Sequence, residues 1–347
     1  MRLLSLLLSA CCLVSAAEGD GLFKEGGEAP AEPKPAPADP KADPAPAAPV
    51  RLGNVNSLAA VSAYAQSKGL AVSDLGSGPL RIRLLGKAAY PQADKALELG
   101  KQALLGLETW TGKNGVLMPD KPADDEILWI AVFPDDGAYS GFIDFLGSKG
   151  RNFDKPDLTK KAGGFPLARV MCVKPGTVQS VPLHYAVYTA SCLTLDAFYG
   201  ARKQRPPAWI REGCGAELQR LLCDGKILMT TIDYEIASDR PKTEDWGAAV
   251  AELIAKRSPQ ATTASEVMRT TLEALAPPYY YQMWSFFAYT RGLCGAAKGP
   301  KNKFLALLEA TAGGTSSDVA LKQVLGRSDP ALTGAWRAWA TGEGSKL

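Results

Sequence analysis

The sequence predicts an α+β fold, with its strands in the first half and helices filling the second. Three observations lead there. Short apolar runs at 80–85, 126–133 and 168–173 have the length and composition of strands. Segments with apolar residues at helical spacing lie between them, and from Pro182 onward helical spacing takes over. Strands with interleaved helices, then a run of helices, form the α+β pattern.

In chain order, SLAAVSAYAQS (57–67) reads as a short helix ended by Gly69. LRIRLL (80–85) alternates apolar and basic residues for part of its length, as a strand does. PQADKALELGKQALLGLETW (91–110) has Pro in its first turn and continues at helical spacing. EILWIAVF (126–133) reads as a buried strand, AYSGFIDFLGS as the next helix, and ARVMCV (168–173) as a third strand closed by Pro175 and Gly176. Helices are then expected at about 182–199, 207–223, 244–257, 263–275, 279–297, 301–311, 316–325 and 329–340. Residues 51–79 read as a short helical extension, and 80–342 as one domain without internal repeat.

The chain of 347 residues is 46% hydrophobic, enough to bury a full core. Its 39 basic and 36 acidic residues form no basic block, which excludes an electrostatic footprint for nucleic acid. The start, MRLLSLLLSACCLVSAAEGD, has one arginine, an apolar run from Leu3 to Val14 and small residues at Ser15, Ala16 and Ala17. It reads as a secretory signal peptide over 1–17, too short to serve as a transmembrane helix. LSAC (8–11) also resembles a bacterial lipobox, which would make Cys11 a lipidated N-terminus. Both readings export the chain, to the periplasm, the medium or the cell envelope, with membrane contact only if Cys11 carries lipid. Residues 18–50, rich in Pro and Ala, cannot bury enough surface to offset ordering and are expected to be a disordered linker.

Past the signal, Cys172, Cys192, Cys214, Cys223 and Cys294 remain, an odd number that leaves at least one free thiol. Cys214 and Cys223 share one expected helix about 13 Å apart, too far to bridge. Cys192 with Cys214 or Cys223 is the pairing expected.

LHYAVY (183–188) holds the chain's one histidine, His184, with Tyr188 at i+4 on the same helix face. PPAWIREGCGAEL (206–218) follows. Its Pro207–Leu218 part resembles the P-x-W-L-x-E-G-x-A-x-Y segment of gluzincin metallopeptidases of the peptidase MA-like type, and His184–Tyr188 resembles a degenerate H-E-x-x-H. YYYQMWSFFAYTRGL (279–293) and the tail 303–339 resemble the later helices of such domains, so the likeness spans about residues 80–341.

The resemblance implies a zincin-like fold, an N-terminal mixed β-sheet with helices before a helical C-terminal half. It also implies that His184 holds the first zinc-ligand position, Tyr185 the general-base position, Tyr188 the second-imidazole position and Glu212 the third-ligand position. The chain departs from the family at the chemistry. A catalytic zinc needs three protein ligands and an open position, and only His184 and Glu212 remain. Tyr188 would ligate only as a phenolate, against an ordinary pKa of about 10. Cys192 lies about 12 Å from His184 along the helix, which leaves Cys214, beside Glu212, as the remaining helper. Tyr185 replaces a base whose help is worth about 10²–10⁴ in rate.

The expected protein is therefore an exported pseudopeptidase without catalytic, cofactor or metal residues, which binds a peptide, glycan or envelope protein or supports the envelope. His184, Tyr185, Tyr188 and Glu212 are then vestigial active-site positions. Trp209, Tyr280, Tyr281 and Trp284 either line the old cleft or pack the core. Two alternatives stand beside this: a metal-dependent hydrolase with an atypical zinc site at His184 and Glu212, and an unrelated α+β envelope protein. The plain readings of the two polar residues are a hydrogen-bonded imidazole at His184, and a Glu212 that is solvated or pairs with Arg211 or Arg205. A Ser-His-Asp arrangement of His184, Ser191 and Asp196 fails because Ser191 lies about 10 Å along the helix from His184.

Overall fold

The structure is a computed structural model that describes residues 57–112, 117, 122–151, 153, 156–175, 182–228, 246–271, 277–295 and 302–347. The signal segment, Cys11 and the 18–50 linker lie outside the described residues. The elements of the first half are α1 (Ser57–Ser67), β1 (Val72–Leu75), β2 (Leu80–Leu85), α2 (Ala93–Thr111), β3 (Leu128–Val132), α3 (Asp136–Ser148), α4 (Pro156–Lys161), β4 (Gly164–Leu167) and β5 (Val170–Val173). The second half is helical: α5 (Pro182–Gly200), α6 (Ala208–Leu222), α7 (Trp246–Ala255), α8 (Ala264–Arg269), α9 (Pro277–Cys294), α10 (Lys303–Ala312), α11 (Ser317–Leu325) and α12 (Asp329–Thr341), closed by a 3₁₀ turn at Glu343–Lys346. The α+β class expected from the sequence is the one found.

One five-stranded mixed sheet has the order β1-β2-β3-β5-β4. β2, β3 and β5 are parallel, while β1 and β4 are antiparallel edges. β3, LWIAV, is buried at every position because both sheet faces are covered. Ile82, Leu128, Ile130, Val132, Met171 and Val173 pack into a core with α2 and α5, and Leu85, Trp129, Ala131, Phe133 and Cys172 into one with α1 and α3. Asp135 starts α3 by accepting a 2.7 Å bond from the Ala138 amide.

Two strands and a helix were not legible. β4, GFPL, contains Gly and Pro, which suit an edge but hide a strand in the sequence, and it turns into β5 through Ala168 at φ 50°. β1, VSDL, is almost wholly exposed, so no apolar pattern marks it. The six-residue α4 is too short to show a period. The segment before residue 80, expected as an extension, is built into the same compact unit, Asn54–Leu347. There β1 pairs with β2 from Val72↔Leu85 to Leu75↔Ile82, and Tyr64 of α1 packs on Phe133, Phe142 and Phe145.

α5 is buried almost all round because it lies among α2, α6, β3 and β5. Its start is anchored by Tyr90, whose hydroxyl donates to the Pro182 carbonyl at 2.7 Å.

Candidate functional site

α5 and α6 are joined by a short turn and pack side by side. Contacts pair His184 with Gln219, Tyr188 with Glu212 and the Cys192 thiol with the Arg211 carbonyl, so the helices run antiparallel. Glycines in E-G-C-G permit the approach on two faces. A Cβ at Gly215 would sit 2.9 Å from Tyr188 Cδ2 and 3.0 Å from Cys192 Sγ, while one at Gly213 would sit 2.7 Å from Phe287 Cγ and 3.2 Å from the Met283 carbonyl of α9.

The Tyr188 hydroxyl donates to Glu212, 3.0 Å from Oε1 and 3.1 Å from Oε2. Arg211 Nη1 donates to Glu212 Oε1 at 2.7 Å and to the Tyr188 hydroxyl at 3.1 Å. Its Nε and Nη2 hold Asp196 of α5 in a fork, both bonds 2.9 Å. Tyr188, Arg211 and Glu212 are each 3% exposed. Burial opposes the charge on Arg211, but Asp196, with Tyr188, Cys192 and Glu212, reverses that and holds its pKa above the ordinary value. Of the partners the sequence allows for Glu212, Arg211 is the one found here; Arg205 is exposed.

His184 turns instead to Gln219 of α6. Its Nδ1 lies 3.3 Å from Gln219 Oε1, which also accepts from the Leu228 amide at 3.2 Å, while Gln219 Nε2 donates to the Gly215 carbonyl at 3.1 Å. An amide oxygen can only accept, so Nδ1 carries the imidazole proton. Burial, reinforced by Lys226 and opposed by the Gln219 bond and Asp224, lowers the His184 pKa, so the ring is neutral at pH 7. Tyr185, 3% exposed, points the other way, its hydroxyl against Gly164 on edge strand β4.

No family model and no curated protein matches this chain.

The remaining sequence-picked residues lie in the helical core. Trp209 is wholly buried, 5.1 Å from Phe286 centre to centre, with its indole nitrogen donating to Ser317 at 3.1 Å. Trp284 donates to Glu217 at 2.9 Å and packs on Trp246, as does Tyr281; Tyr280 is buried too. Glu217 is a second buried carboxylate, held by a fork from Arg220 with both bonds 2.9 Å and by Arg291 at 3.7 Å. Sequence reasoning gave it no role; its i, i+3 spacing from Arg220 was the available signal. Ser191 donates back to the Val187 and Tyr188 carbonyls and Asp196 is held by Arg211, so neither reaches His184.

A zinc ion does not fit these residues. Tyr188 and Glu212 already bond each other, a guanidinium has no lone pair to offer, and a single imidazole remains. Among the described residues no group of three or more His, Cys, Asp or Glu side chains could hold a metal. The expected bridge from Cys192 to Cys214 or Cys223 is not formed: all five described thiols are free and buried. Burial raises the pKa of each, to about 12 for Cys223 and Cys294, which keeps them protonated and unreactive.

Proposed function

We propose that this chain is an exported, gluzincin-like pseudopeptidase that acts by binding a peptide, glycan or envelope protein, or by supporting the envelope, rather than by hydrolysis. One observation carries the proposal. Tyr188, at the second-imidazole position, and Glu212, at the third-ligand position, meet across two adjacent helices, yet they bond each other and a guanidinium. Such a meeting is what the resemblance requires of residues at those positions, and the identity of the partners removes the chemistry. Tyr185, at the base position, is turned to β4 with its ring buried and has no carboxylate to offer a water.

The mixed sheet that precedes the His184 helix, and the run of helices after it, agree with a zincin-like arrangement. Export rests on the first 17 residues. Thiols held protonated by burial would resist oxidation in such a compartment. Among the described residues no helix is long and apolar enough to cross a membrane.

The test is elemental analysis of the full chain purified without chelator, beside the His184→Ala variant, with a peptide-hydrolysis assay on both. The expected result is no stoichiometric metal and no hydrolysis in either. One equivalent of zinc in the parent that disappears in the variant would replace this proposal with the atypical hydrolase.

A further inference from the structure

We infer that the Arg211 guanidinium has taken over the role of the metal: it is the fixed internal cation for the carboxylate at the third-ligand position, and it closes that position to a metal ion. The inference rests on the pseudopeptidase reading and deepens it.

The Glu212 side chain is only 2% exposed, and a carboxylate that far from water requires a cation or hydrogen-bond donors. Neighbouring residues on a helix do not ordinarily face each other, so Arg211 would be expected to point away from Glu212. It is turned back because Asp196, on the facing helix, grips Nε and Nη2 and leaves Nη1 directed at Glu212 and Tyr188. The guanidinium is thus oriented from α5 while it neutralises a residue of α6. It stays charged at any working pH and supplies only donors, so it can satisfy the carboxylate without ligating anything. Tyr188 completes the arrangement, accepting from Arg211 and donating to both Glu212 oxygens, so that both oxygens of the carboxylate already have a partner.

This makes a specific claim about rebuilding a metal site. Restoring the base and second imidazole by Tyr185→Glu and Tyr188→His is insufficient while Arg211 remains, because a fixed positive charge stays in contact with Glu212. Adding Arg211→Leu removes the obstacle. His184 must leave Gln219 to join, and that contact is long, at 3.3 Å.

The experiment is zinc titration of the full chain against a chromogenic chelator, with Co²⁺ absorption to report the ligand set, on the double and triple variants. The triple variant is expected to bind one equivalent roughly 100-fold or more tightly than the double, the scale on which one adjacent like charge acts. If the double variant binds as tightly as the triple, Arg211 closes nothing: the inference fails and the family reading stands. If both are folded by circular dichroism and neither binds, the family reading fails and the inference with it.

A second measurement decides the matter should the triple variant not fold. Melting temperatures are compared for Arg211→Leu and for Arg211→Leu with Glu212→Gln. If the guanidinium is the counter-charge of Glu212, the single variant melts several degrees lower than the parent and the added amide recovers at least half of the loss. No recovery would show that Glu212 does not depend on Arg211 for its charge, and the inference would fall.

Discussion

The hydroxyl of Tyr188 lies 3.0 and 3.1 Å from the two carboxylate oxygens of Glu212, in an environment where both residues are 3% exposed. A donor to a buried charged group contributes more than an ordinary hydrogen bond. Tyr188→Phe keeps the ring and removes the donor, so it is expected to cost about 1.5–3 kcal/mol of stability by urea denaturation. A loss under about 0.5 kcal/mol would mean that water already serves Glu212.

Arg211 ties the same cluster together and binds two carboxylates. Arg211→Ala strands Glu212 in the core, and the expected loss is about 3–5 kcal/mol, the cost of breaking one side of a buried pair. Asp196→Ala should cost less, since the Asp196 side chain is 26% exposed and screened by solvent. Denaturation of the two variants side by side checks the order; equal losses would contradict it.

Helix α6 crosses α9 at Gly213, where a Cβ would meet Phe287 and the Met283 carbonyl. Backbone cannot give way as a flexible side chain can, so Gly213→Ala is expected to lose about 1–3 kcal/mol. Gly292 of α9 provides the contrast, with nothing within 4 Å of its would-be Cβ. Gly292→Ala should gain about 0.5–1 kcal/mol from helix propensity alone. Thermal melts of both variants test the pair, and a destabilised Gly292→Ala would refute the account.

His184 has a folded-state pKa below its ordinary value, chiefly because of burial. The unfolded chain therefore binds this proton more readily than the folded one. The stabilising contribution is fully present above about pH 6.5 and is lost as pH falls from there toward the folded-state pKa. Stability measured at pH 7.5 and 5.5 should fall across that window, and less steeply in His184→Gln. An unchanged slope in the variant would assign the pH dependence to other groups.

The five described cysteines are free and buried. Native full-length protein is expected to leave these five unmodified by a thiol reagent within minutes, with all five labelled once it is unfolded, as mapped by mass spectrometry. A Cys192–Cys214 or Cys192–Cys223 peptide in the unreduced digest would contradict the structure.

Much of the scaffold was legible because its signals are local. α1 (Ser57–Ser67) and β2 (Leu80–Leu85) lie where the apolar pattern puts them, and the helices of the second half fall within a few residues of the expected ranges, except that α8 stops at Arg269. Hydrophobic period and turn residues are written in a few consecutive positions. The edge strands were hidden, since an edge needs neither burial nor apolar alternation, as VSDL and GFPL show.

At the site, the sequence by itself determined that His184 and Tyr188 share a helix face and that the chain has one histidine, so the three-ligand zinc set implied by the resemblance lacks its second imidazole. It also contained the Arg211–Glu212 pairing as the plain alternative. Only the tertiary structure decided which way each group turns: Tyr185 to β4, His184 to Gln219, and Arg211 back onto Glu212. The physical reason is that side-chain direction on these helices is set by what the facing helix offers. Asp196 stands 15 positions before Arg211 in the chain and meets it only because α5 and α6 pack antiparallel.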